Sequence, residues 1–151
     1  MQIHPNAVLL LCGEGGEDLE KCRQEAISLN IREKVIFPGK VDQPQNYYQA
    51  MDVFVLPSLF EGLSLVGVEA RASSLPCVFS DTITKESAVV PAVTFVPHEA
   101  SDGEWADAIL NAPHVQRETA FKQVIAAGFD EKVLNEQVKA LYSDKNIDKE
   151  T

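Results

Sequence analysis

No run of eighteen or more apolar residues occurs in the chain, which removes the usual basis for a membrane-spanning helix. The opening MQIHPNAVLLLCG contains a short apolar segment but no basic region and no cleavage site, so a soluble, unexported, cytoplasmic protein is expected. Positive charge is scarce: 13 Lys and Arg against 23 Asp and Glu leave a net charge of −10. A basic surface for nucleic acid is therefore not expected. Cysteine is confined to Cys12, Cys22 and Cys77, an odd number in or beside apolar segments, the pattern of reduced thiols used for packing. His4, His98 and His114 are scattered without a second ligand at metal spacing, so no metal is expected. Repeats, low-complexity segments and internal linkers are also missing. The 151 residues fit one domain and leave no room for a second catalytic one.

What is present is an alternation of short apolar runs and helical periodicities. Ala7 to Cys12 reads as a buried strand ending in Gly13-Glu14-Gly15-Gly16, followed by a helix from Glu17 to Leu29 with acids in its first turn. Val35 to Phe37 reads as a strand closed by Pro38-Gly39, and Pro44 to Met51 as a brief helix with Tyr47, Tyr48 and Ala50 available for packing. Strands follow at Val53 to Leu56, Cys77 to Phe79 and Thr94 to Val96, with helices over Ser64 to Ser73, Asp102 to Leu110 (starting at Ser101), Arg117 to Ala126 and Asp130 to Tyr142. Strands without polar alternation are buried on both faces, as in a parallel sheet covered by helices. The expected fold is a doubly wound, Rossmann-like α/β sheet over residues 1–143, with a polar tail at 144–151.

The segment PSLFEGLSLVGVEARASSLP, Pro57 to Pro76, carries the chemistry. It runs from a strand through a turn into an apolar helix whose unpaired first amides and dipole suit a phosphate. Glu69 lies about a turn and a half into that helix, at roughly 1.5 Å of rise per residue. Among Leu65, Val66, Val68, Ala70 and Ala72 it reads as a sheltered carboxylate able to accept hydroxyl hydrogen bonds from a sugar, or else as one paired with Arg71 or Lys85. Glu61 is either an ordinary acid before a helix or a group directed past the phosphates toward a sugar. Gly62 permits a bend and a close approach of ligand. Gly67, inside the helix, implies a tightly packed neighbour. Gly13 and Gly15 resemble a phosphate cradle but lack the Walker Lys-Ser/Thr pair and a full G-x-G-x-x-G. Asp81 and Thr82 follow a strand at the sheet end where ligands collect, or simply form a turn.

In order, AVLLLCGEG, KVIFPGKVD, AMDVFVLPSLFEGLSLVGVEARASSLPCVFSDTITKE, FVPHEASDGEWADAIL and AGFDEKVLNEQVKALY resemble the C-terminal, donor-binding domain of a GT-B-fold glycosyltransferase of the GT4 type. The central piece contains that family's E-x7-E element as Glu61 to Glu69. The resemblance is strongest to bacterial enzymes building capsular or exopolysaccharide. It implies retaining transfer of a hexose from a nucleotide-diphosphate sugar to a glycan or lipid-linked acceptor, in the cytoplasm or at the inner face of the membrane, without a metal or other cofactor. Glu61 would meet the transferred sugar as the catalytic-site acid, and Glu69 the ribose hydroxyls. Gly62, Leu63, Ser64, Leu65 and Val66 would line the donor, the last three giving amides to the diphosphate. Val41 would lie against the base.

Two positions depart from the family pattern: Ser74 stands where glycine is usual, and Arg71 where glutamine is frequent. An N-terminal acceptor domain and a basic pair that grips the diphosphate precede the donor domain in the family. The chain is expected to start after both, to lack the first strand-helix unit, and so to show little or no transfer activity by itself. The alternative is a stand-alone nucleotide-sugar binding module, or a subunit partnered by a separate acceptor-domain chain. A signalling receiver domain is rejected, because Gly13-Glu14-Gly15 and Pro57-Ser58 occupy the places of its acidic pair and phosphorylated Asp.

Overall fold

The computed structural model describes residue 4 and residues 6–85, 93–114, 116–130, 132–133, 135–136 and 139–140. The expected α/β class with parallel strands is observed, in two compact units, Met1–Pro44 and Gln45–Thr151.

In the first unit, strand β1 (Leu9–Cys12), helix α1 (Glu17–Ser28), a 3-10 turn (Arg32–Lys34) and strand β2 (Val35–Gly39) follow one another. β1 and β2 pair in parallel, Leu9 opposite Val35 and Cys12 opposite Gly39, with an irregularity between Leu10 and Cys12. α1 leaves a cleft of about 310 Å³ above the strands, lined by residues that include Leu9, Leu11, Cys22, Ala26, Val35 and Phe37. These strands are not buried on both faces as their composition suggested. Leu9 and Ile36 stay exposed, because one helix against two strands leaves apolar side chains uncovered within the unit. The thiols correct a second expectation: Cys12 and Cys22 are exposed, and only Cys77 packs in a core, where burial pushes its thiol up to about 12 despite the lowering effect of nearby Arg71.

The second unit shows what covered parallel strands look like. It contains helix α2, which begins at the boundary (Pro44–Tyr48), then β3 (Phe54–Leu56), α3 (Leu65–Ala72), β4 (Cys77–Ser80), β5 (Val93–Val96), α4 (Asp102–Leu110) and α5 (Arg117–Ala126). The strand order is β3-β4-β5, all parallel, with Phe54, Cys77 and Val93 in one row. Central β4 is buried throughout and its side chains alternate between two cores. Cys77 and Phe79 join Tyr48, Ala70, Leu75 and Ile83 on one face, whereas Val78 joins Val96 and Ala112, with Trp105 and Ile109 of α4, on the other. Val68 of α3 packs against Val124 of α5.

Helices α1, α3 and α5 end in the same way. Asn30 (φ 56°), Ser74 (φ 68°) and Gly128 (φ 92°) adopt the left-handed conformation. In each case the next residue's amide reaches back five positions, as Leu75 does to the Ala70 carbonyl, which forms a Schellman motif. α4 begins as expected at Ser101, in a capping box with Glu104. The helix expected over 130–142 and the tail at 144–151 lie partly or wholly outside the described residues; those described at 132–133, 135–136 and 139–140 are helical.

Candidate functional site

Because the strands of the second unit run parallel, the loops leaving β3, β4 and β5 emerge at one carboxyl edge, where ligands collect in such sheets. The loop after β3 carries Glu61 and leads into α3. It is stitched to the loop after β4. Thr82 Oγ1 donates to the Ser58 carbonyl (2.8 Å) and lies 2.6 Å from Ser80 Oγ. Thr84 Oγ1 donates to the Gly62 carbonyl (3.1 Å), and Glu61 forms a parallel bridge with Ile83. Within this frame Ser58 Oγ donates to Glu61 Oε1 at 3.0 Å, so the half-buried carboxylate is held from below by its own loop.

At the amino end of α3, the buried Ser64 is the N-cap, and its hydroxyl accepts from the Gly67 amide (3.4 Å). The Val68 amide takes the Ser64 carbonyl (3.1 Å). The amides of Leu65 and Val66 have no acceptor among the described residues, leaving two of the helix's orphan donors at an exposed end. The expectation that α3 is sheltered on most sides is corrected. Gly67, Val68, Ala70 and Arg71 face inward, but Leu65, Val66 and Glu69 form an exposed strip. The apolar residues at 65 and 66 therefore do not mark core. Leu59, Phe60 and Leu63 are also exposed, Phe60 at 83%.

Glu69 is thus an accessible carboxylate. Arg71 does not face the same way: it is fully buried, and its Nη1 donates to the Leu75 carbonyl. The partner of Glu69 is Tyr48, whose hydroxyl donates to Oε2 at 3.0 Å. Sequence reasoning treated Tyr48 only as packing. The available signal was that a buried tyrosine hydroxyl usually needs an acceptor.

Glu61, Gly62, Leu63, Ser64, Leu65, Val66 and Glu69 are brought together with Thr82 on one loop-helix segment and the loop beside it. The Asp81 carboxylate accepts from the His98 amide (3.0 Å) and so ties together the ends of β4 and β5. Gly13, Gly15 and Val41 belong to the first unit. There the Gly13 amide donates to the Gly39 carbonyl (3.0 Å), Gly15 lies against Leu19, and Glu14 pairs with Lys40 (3.1 Å). The two central glycines differ. A Cβ at Gly67 would lie 2.9 Å from Phe79 Cζ, so helix-sheet packing accounts for it. A Cβ at Gly62 would meet nothing within 4 Å, and Gly62 is not among the residues with positive φ. Among the described residues no three His, Cys, Asp or Glu side chains gather as a metal site, and no helix is long and apolar enough to cross a membrane.

Parallel strands feeding a capped helix with open amides at the carboxyl edge are an arrangement in which α/β domains hold anionic ligands. The chain belongs to the glycosyl transferases group 1 family, whose model matches residues 1–121, and is a GT-B-fold, GT4-type domain. It is 36% identical over 149 residues to EpsF of Bacillus subtilis (strain 168), a match covering 94% of this chain and 37% of EpsF. Two solved structures share the fold. Sucrose-phosphate synthase from Thermosynechococcus elongatus has a TM-score of 0.77 and 24% identity, covering 93% of this chain and 39% of that one. Anabaena HepE, in complex with UDP, has a TM-score of 0.72 and 20% identity, covering 93% and 42%. The chain therefore spans well under half the length of these relatives.

Proposed function

We propose that this chain holds the nucleotide-diphosphate sugar from which a retaining glycosyltransferase moves a hexose to a glycan or lipid-linked acceptor during polysaccharide synthesis. The observation that carries the proposal is the pair of unaccepted amides at Leu65 and Val66, lying between the Glu61 loop and the exposed Glu69 carboxylate. Anions are stabilised at such a helix end by typically 0.3–1 kcal/mol from the dipole alone, and more where donors point at them. The diphosphate is assigned to the amides at Ser64, Leu65 and Val66, the ribose hydroxyls to Glu69 and the hexose hydroxyls to Glu61. Gly62, which neither crowding nor a positive φ requires, leaves room for the ligand beside Leu63.

As the donor bond breaks, negative charge grows on the departing diphosphate. Fixed backbone dipoles at the α3 end are suited to stabilise it without a metal. Glu61, braced by Ser58, would keep the hexose oriented over the attacking acceptor. Transfer is proposed for the whole protein, whose relatives are more than twice this length, whereas donor binding is proposed for these residues.

Calorimetry with UDP, GDP, ADP and their sugars tests the assignment. One nucleotide series should bind, and Glu69→Ala should weaken it by about tenfold, the loss of a charge-assisted hydrogen bond. Indifference of every nucleotide to that substitution would remove Glu69 from the site.

A further inference from the structure

We propose that Tyr48 is a positioning residue that sets the nucleotide-holding geometry of Glu69; this rests on the assignment of Glu69 to the ribose. Glu69 is exposed on α3, and an exposed glutamate side chain has several rotamers of similar energy. Its ligand role requires one of them. The hydroxyl of Tyr48 supplies the constraint at 3.0 Å from Oε2, reaching across 21 positions of sequence from the last residue of α2.

Tyr48 is itself held. It is only 6% exposed, in a core with Ala70, Leu75, Cys77, Phe79 and Ile83. Its ring meets Phe54 edge to face at 5.9 Å between centroids, Phe54 meets Phe79 at 6.4 Å, and Phe79 meets Phe95 at 6.1 Å, each close to perpendicular. The hydroxyl thus sits at the end of a row of interlocked rings that crosses β3, β4 and β5. One carboxylate oxygen is occupied by this rigid donor. Oε1 accepts no hydrogen bond from the other described residues and is the oxygen assigned to the ribose hydroxyls. With the carboxylate fixed before ligand arrives, the ordering of a flexible side chain is not charged against binding. A tyrosine that served packing alone would not need its hydroxyl on the one exposed acid of α3.

The test is calorimetric titration of the chain with UDP, GDP and ADP and with their 2′,3′-dideoxy forms. It uses wild type, Tyr48→Phe, Glu69→Ala and the double variant. Tyr48→Phe keeps the ring and removes only the hydroxyl. Wild type should prefer the ribose form of the nucleotide that binds by about tenfold. Tyr48→Phe should reduce that preference roughly three-fold while leaving dideoxy affinity unchanged, a smaller effect than loss of the carboxylate because the hydroxyl acts only by orienting it. In the Glu69→Ala background Tyr48→Phe should have no further effect. Equal weakening of ribose and dideoxy forms by Tyr48→Phe, or an undiminished effect without Glu69, would overturn the positioning role while the Glu69 assignment stands. If Glu69→Ala leaves the ribose preference intact, the assignment fails and the role of Tyr48 with it.

Discussion

Replacing Gly67 with alanine sets two opposite effects against each other, and the coordinates decide the sign. In a solvent-exposed helix the change would be favourable by about 1 kcal/mol, since glycine is the poorer helix former. Here the new methyl would lie 2.9 Å from Phe79 Cζ and 3.3 Å from Cε2, against a carbon-carbon optimum of about 3.5–4.0 Å. Phe79 cannot simply turn aside: it is fully buried, with the rings of Phe54 and Phe95 edge-on to it. Overpacking of this kind costs about 1–3 kcal/mol. Setting this against the helix gain leaves a net destabilisation of up to about 2 kcal/mol, or a fall in Tm of up to roughly 8 °C for a chain of this size. Thermal melts followed by circular dichroism, with urea titrations alongside, would measure it. Phe79→Leu should make Gly67→Ala cheaper, so the double variant should be less destabilised than the sum of the singles. A rise in Tm for Gly67→Ala alone would show that the ring yields and that packing is not why glycine stands there.

Two further outcomes follow from the helix ends. Ser74→Gly should raise stability by about 1 kcal/mol in the same melts, because Ser74 has a φ of 68°, where an L side chain is strained and glycine is not. Hydrogen bonds from the Ser101 amide and hydroxyl hold Glu104 below its ordinary carboxylate range. Its folded value is lower than its unfolded one, so its contribution is present above about pH 4.5 and is lost as pH falls through the folded value. Urea midpoints measured from pH 6 to pH 3 should therefore drop less steeply in Glu104→Gln than in the natural chain.

The strand and helix positions were legible because each apolar run was bounded by punctuation that has a physical meaning. Ser101 announced a helix start, to which the structure adds the capping box with Glu104, and Gly67 announced a close neighbour that proved to be Phe79. Burial was less legible. The apolar residues of α3 suggested shelter on most sides, yet hydrophobicity alone does not distinguish a side chain facing a core from one at the rim of a cleft, and Leu65 and Val66 face outward. The same ambiguity misread Cys12 and Cys22, because flanking apolar residues do not report how many layers cover them. Tyr48 and Glu69 meet only after β3 and α3 have folded back on one another, so no local pattern could have announced their hydrogen bond. Ser74 was visible as an oddity where glycine is usual, but its reason, a left-handed backbone at the end of α3, emerged only from the dihedral angle.

Leu59, Phe60, Leu63, Leu65 and Val66 leave an oily fringe on the segment that bears the unaccepted amides. Water wets such a fringe poorly and is readily shed when another surface closes over it. Attraction between fixed dipoles and an incoming anion would then act through a weaker dielectric, where the same charges interact several-fold more strongly than in bulk solvent. Side chains that contribute nothing polar would in this way amplify the grip of the backbone beside them.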